Sequence, residues 1–125
     1  MKYYSNPIYP VALVLSYDAE SVDKEYYNAA EGKDKPIILK PTSEAVTMFL
    51  SRRAPYYAMA FGVLFNKKPT PKLMAHEALH TAVMMLDVGC NIPFTDSTEE
   101  AYAYLIGWIV ECMEDFSKKV KFPKK

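Results

Sequence analysis

The only two histidines of this 125-residue chain stand four positions apart, in His76-Glu77-Ala78-Leu79-His80. On a helix, four steps of about 100° leave two side chains about 40° apart around the axis and one turn apart along it. Both imidazoles can then reach one metal ion. Glu77 is one step further round, placed to stand beside the ion and take a proton from water bound there. Zinc accepts neutral imidazole and carboxylate and brings a bound water to a pKa of about 7. With two histidines and nine glutamates in the chain, this arrangement arises by chance about once in a thousand sequences. The bland alternative is a pair of half-buried helix histidines beside a solvated glutamate.

The motif needs a helix, and the flanking residues supply one. Thr70-Pro71 reads as a cap followed by proline at the first helical position, where its missing N–H costs nothing. The helix is expected to run to about Val88 and to stop at Gly89 in a left-handed ending. Asp96-Ser97-Thr98 then opens a second helix to about Phe116, apolar on nearly every side from Ala101 to Val110 and so expected to be central. Upstream, Tyr9–Ser16 reads as a buried strand and Ser21–Glu31 as a helix capped by Ser21 and ended by Gly32. Pro36–Pro41 is strand-like between prolines, suited to an edge or a short connection. Ala45–Leu50 fits helix or strand, and Tyr56–Phe65 reads as a strand, with Ser51–Pro55 a hairpin between them if both are strands. The fold class is α+β: a small mixed or antiparallel sheet packed on the motif helix and a following glutamate-bearing helix, in one domain spanning 1–125.

A catalytic zinc normally takes three protein ligands and keeps one open position. With no further histidine, the third must be a carboxylate or a cysteine, from Glu99, Glu100, Glu111, Asp87, Asp96 or Cys90. Asp87 lies about 10 Å along the helix from His80, too far to share its metal. Cys90 would need the chain to double back. Glu100 is the best placed, because it opens the neighbouring helix on a stripe with Ala103, Tyr104, Gly107, Trp108 and Glu111, whose small members would let two helices approach. Ser97-Thr98-Glu99-Glu100 is also a capping box, in which Glu100 would bond back to the Ser97 amide. Glu99 is then the alternative ligand.

His76-Glu77-Ala78-Leu79-His80 followed by Glu99-Glu100-Ala101-Tyr102-Ala103-Tyr104 resembles the minigluzincins, small zincins that pair a His-Glu-x-x-His helix with a Glu-x-x-Ala helix. Glu100 and Ala103 match the second element. The likeness is greatest to short phage- and prophage-encoded proteins and covers about Thr70 to Cys112. It implies a zincin-like metallopeptidase fold, zinc (Zn2+) held by His76, His80 and Glu100, Glu77 as general base, and an extended peptide or protein substrate bound at a sheet edge. Larger gluzincins carry an aspartate four residues after the ligand glutamate, where this chain has Tyr104. The edge expected to take the peptide is the strand from about Tyr56 to Leu64, which directly precedes the motif helix.

The bulk properties agree with such a domain. Fifteen basic and fifteen acidic residues cancel, so no net field points to nucleic acid or an anionic membrane. The basic stretch from Lys118 to Lys125 reads as a solvated end. No signal or membrane-spanning segment is evident, which places the protein in the cytoplasm, and Cys90 and Cys112 read as buried thiols. Tyr57, Tyr102 and Tyr104 are possible oxyanion donors, though packing with a bonded hydroxyl is the ordinary role of a tyrosine. Met74, Met84, Met85, Met113 and Trp108 read as core. Two functions follow from these residues: a zinc peptidase, or a non-catalytic, zinc-stabilised, phage-related interaction module.

Overall fold

The computed structural model describes residues 1–55 and 58–123. Five strands form one mixed sheet: β1 (Lys2–Ser5), β2 (Ala12–Ser16), β3 (Tyr26–Asn28), β4 (Ala45–Arg52) and β5 (Met59–Phe65), in the order β1-β2-β5-β4-β3. β2 and β5 run parallel and every other pair is antiparallel. The described residues also form three α-helices: α1 (Ala19–Glu25), α2 (Pro71–Val83) and α3 (Glu99–Lys119). Between α2 and α3 the chain continues helically through a π-helical turn, Met84–Gly89. Among the described residues no helix is long and apolar enough to cross a membrane.

The pleat divides the apolar residues between two cores. Leu13, Leu15, Phe61, Val63 and Phe65 face α2, the π turn and α3, while Ala12, Val14, Met48, Leu50, Ala60 and Leu64 face α1 and Ile37. β2 and β5 are buried on both faces, which is why they read as continuous apolar runs rather than alternating ones. Phe49 on β4 stacks on its partner Phe61 with centroids 4.8 Å apart and planes 8° apart. The sheet is thus a middle layer, with two helices on one face and α1 on the other.

Several sequence expectations shift. The strand expected from Tyr9 begins at Ala12, and Lys2–Ser5, not foreseen as a strand, pairs with it. The first helix begins at Ala19 and ends at Glu25, and its cap is Asp18, whose carboxylate accepts from the Glu20 and Ser21 amides, rather than Ser21. It stops early because Tyr26, Tyr27 and Asn28 pair with Arg52, Ser51 and Leu50, and aromatic side chains at a sheet edge outweigh the helical pattern. Gly32 keeps a positive φ of 96°, in the turn after β3. The Pro36–Pro41 segment forms no ladder. Ala45–Leu50 resolves as strand, and β4 includes Ser51 and Arg52. Tyr56 and Tyr57, at the start of the expected last strand, lie outside the described residues. That strand is central, flanked by β2 and β4, so it has no free edge for a peptide.

The helical half follows its caps. The Thr70 hydroxyl accepts from the Leu73 amide and Pro71 opens α2. Gly89, however, is not the left-handed residue: Asn91 is, at φ 55°. Gly89 is small because the Phe61 ring packs on it, and a Cβ there would lie 3.0 Å from Cζ. Residues Met74, Met85 and Met113 are buried as expected, whereas Met84 and Trp108 are only partly so. Nor is α3 apolar all round in its packing. It buries Tyr102, Leu105, Ile109, Cys112, Met113 and Phe116 and leaves Ala103 and Gly107 exposed. Nothing lies within 4 Å of a Cβ built on Gly107, so that stripe of small residues brings no helix close.

The two faces of α3 give opposite expectations under urea unfolding. Ile109→Ala should cost about 2–5 kcal/mol through the cavity it leaves. Gly107→Ala should stabilise by about 0.5–1 kcal/mol, the helix-propensity gain at an exposed site. A destabilising Gly107→Ala would mean that this face is packed.

Candidate metal centre

α2 turns a continuous stripe to the core: Leu73, Met74, Glu77, Ala78, Thr81 and Ala82. Its period is helical, and Glu77 falls inside it. The motif is therefore split by burial. Glu77 is 6% exposed, while His76 and His80, one step to the side, are open to solvent. Thr81 ties into the same turn by donating to the Glu77 carbonyl at 2.7 Å.

The two imidazoles face one another with Nε2 atoms 3.2 Å apart and rings inclined by 72°. Two nitrogens on one tetrahedral zinc, each about 2.0–2.1 Å from it, are about 3.3–3.4 Å apart. The observed separation is close to that spacing, and it is also the length of a hydrogen bond between the two rings. The Glu77 carboxylate lies alongside, Oε2 at 3.6 Å from His76 Nε2. Its other oxygen, Oε1, accepts from the Thr47 hydroxyl at 3.1 Å. Thr47 is on β4, opposite Val63, and was not singled out by the sequence. Only the pairing of β4 under α2 reveals it.

Glu100 was the expected third ligand. It is exposed in the first turn of α3, as is Glu99, and on the helical wheel it lies about 170° from the centre of the buried stripe. Glu111 shares that outward face, and Asp87 and Asp96 are exposed. Among the described residues no group of three or more His, Cys, Asp or Glu side chains is arranged to hold a metal ion. The structure thus brings His76, His80 and Glu77 together. The capping box does not form either: Thr98 caps α3 without a side-chain bond to it, and its hydroxyl instead donates to the Pro93 carbonyl at 2.6 Å.

The other sequence candidates are occupied. Tyr102 is buried and its hydroxyl donates to the Ile92 carbonyl at 2.7 Å, which pins the start of α3 to the end of the π turn. Tyr104 packs against Tyr9, with ring centroids 6.2 Å apart. Tyr57 lies outside the described residues. Cys112 is buried, and burial pushes its thiol up to about 12; burial also raises Cys90, which is only partly buried. Neither has the lowered pKa of a nucleophilic cysteine.

In front of the motif runs a groove between β4 and α2, about 570 Å³ in volume, lined by Ala45, Thr47, His76, His80, Leu79 and Val83 among others. A second hollow of about 510 Å³ shares Ala45, His76 and Glu77 and continues toward Lys67 and Lys72. The strand bordering the groove is open. The Arg52 amide donates to Ala58 and Glu44 accepts from Asn66, so even-numbered residues of β4 direct their main chain to β5. Odd-numbered residues face the other way. Phe49 there accepts from Ala29, and β3 covers Leu50 to Arg52. The outward main chain of Ala45 and Thr47 carries no main-chain bond among the described residues. Against known proteins the chain matches no family model, no curated protein and no solved structure.

Proposed function

We propose that this chain is a zinc-dependent peptidase, in which His76 and His80 hold the metal and Glu77 is the general base. The observation that carries the reading is the pair of Nε2 atoms 3.2 Å apart with a buried carboxylate beside them. When bound, zinc would polarise a carbonyl and lower the pKa of water. Glu77, held between Thr47 and His76, would accept a proton from the attacking water and return it to the leaving amine. The layering of two helices over a mixed sheet, with an open strand beside the motif helix, supports a zincin-like arrangement. The resemblance to minigluzincins adds Glu100 as third ligand.

The peptide edge moves from the expected strand to β4. An extended substrate would lie along Ala45–Thr47, bonding main chain to main chain, and would bring its scissile carbonyl in front of the histidines. The alternative reading is a non-catalytic, zinc-stabilised interaction module.

His76→Ala and His80→Ala should each lose stoichiometric zinc, read by elemental analysis after dialysis, because one histidine is too few for a stable site. Glu100→Ala measures the third position. A loss of orders of magnitude in affinity puts its carboxylate on the metal, and a change of less than about threefold leaves that position to another group. Glu99→Ala should be near neutral.

Glu77→Gln separates peptidase from interaction module. It should retain zinc and fold, and lower the rate of peptide hydrolysis by about 10²–10⁴. A zinc-loaded wild type that cleaves no peptide library would leave only the interaction module. For the edge, proline scanned along a cleaved peptide should be rejected at alternate positions, where it removes the N–H that would donate to the Ala45 or Thr47 carbonyl. Tolerance at every position would defeat the edge-strand geometry.

A further inference from the structure

We propose that Thr47 is a positioning residue. Its hydroxyl fixes which way the Glu77 carboxylate faces, and so presents Oε2 to the space before the histidine pair. Its consequence for catalysis rests on the peptidase reading above, but the positioning does not.

Glu77 is 6% exposed, and a carboxylate taken out of water must be held by donors. Among the described residues its Oε1 has one side-chain donor, the Thr47 hydroxyl at 3.1 Å. Its Oε2 has His76 at 3.6 Å, too long for a hydrogen bond. The carboxylate is a flat group on a soft terminal torsion, so a single directed bond at one oxygen decides where the other points. Threonine is suited to this work. Branching at Cβ restricts χ1, and its position on a paired strand, opposite Val63, fixes the backbone that carries it.

The same residue meets the groove. Thr47 turns its main-chain N–H and C=O to the open edge while its side chain holds Glu77. One residue thereby fixes the distance between a strand laid along that edge and the carboxylate.

The full chain, zinc-loaded, is compared as wild type, Thr47→Val, Thr47→Ser and Glu77→Gln. Crystal structures read the orientation directly. In Thr47→Val the Glu77 carboxylate should leave its place beside His76, and in Thr47→Ser it should return. A carboxylate unmoved in Thr47→Val overturns the proposal, whether or not the chain cleaves anything. Should Thr47→Val fail to fold, Thr47→Ala gives the same comparison. Peptide hydrolysis is the second readout. Thr47→Val should lower kcat about tenfold or more at unchanged KM and zinc content, and Thr47→Ser should recover it to within about threefold. Added to Glu77→Gln, Thr47→Val should cost nothing further. An equal loss in both backgrounds overturns the proposal, because Thr47 would then act elsewhere than on Glu77. A wild type without hydrolysis defeats the peptidase reading alone, and the crystal structures still decide Thr47.

Discussion

The double burial of β5 from Ala60 to Phe65 is the constraint from which the rest of the fold follows. With Phe61, Val63 and Phe65 on one face and Ala60 and Leu64 on the other, β5 needs an apolar layer on each side. Its edges are also both taken, by β2 and β4. The chain leaving β5 through Asn66 can only cross over a face, and the Thr70 cap starts α2 there. Packing α2 on that face sets its rotation, since Leu73, Met74, Ala78 and Ala82 must point inward. The rotation in turn sets the chemistry: it buries Glu77 against β4 and leaves His76 and His80 beside the groove.

Placing an acid within an apolar stripe is a conflict between pattern and packing. An alanine at 77 would satisfy the core better than a carboxylate that must find a donor. The structure resolves the conflict with one hydroxyl from β4. The groove in front adds a second departure from a well-sealed fold, a stretch of β4 at Ala45 and Thr47 that is open on the side away from β5, beside exposed Leu79 and Val83. Sheets ordinarily blunt or cover such edges. A buried acid, a solvent-facing histidine pair and an open edge meeting in one place form a combination that stability alone does not favour.

What was legible in the sequence is what local geometry determines. The i, i+4 spacing of His76 and His80 carries their relative position with it, because one helix holds both, and Thr70-Pro71 marks where that helix begins. The α+β class and the strand character of β2 and β5 were readable from apolar runs. What depended on distant partners was not. Tyr26–Asn28 continue a helical pattern and become strand only because Leu50–Arg52 lie beside them. β5 looked like an edge because sequence order placed it next to the motif, whereas the β1–β2 hairpin, whose first strand was not foreseen, occupies its far side. Thr47 carries no local signal at all: a threonine in a strand is ordinary until a glutamate thirty residues later is packed against it.

The helix after the motif shows why a third ligand is harder to read than the first two. From Ala101 to Val110 nearly every position is apolar or small, so the sequence offers two candidate stripes. One runs through Glu100, Ala103, Tyr104, Gly107 and Glu111, the other through Tyr102, Leu105, Ile109, Met113 and Phe116. Volume decides between them. The second stripe fills the space over β2 and β5 with large side chains, and the first has an alanine and a glycine where bulk is needed. The bond from Tyr102 to Ile92 then fixes the rotation at the helix start, next to Glu100 itself. Tyr102 and the large residues of its stripe therefore set which way α3 faces, and Glu100 takes the outward side together with Glu111.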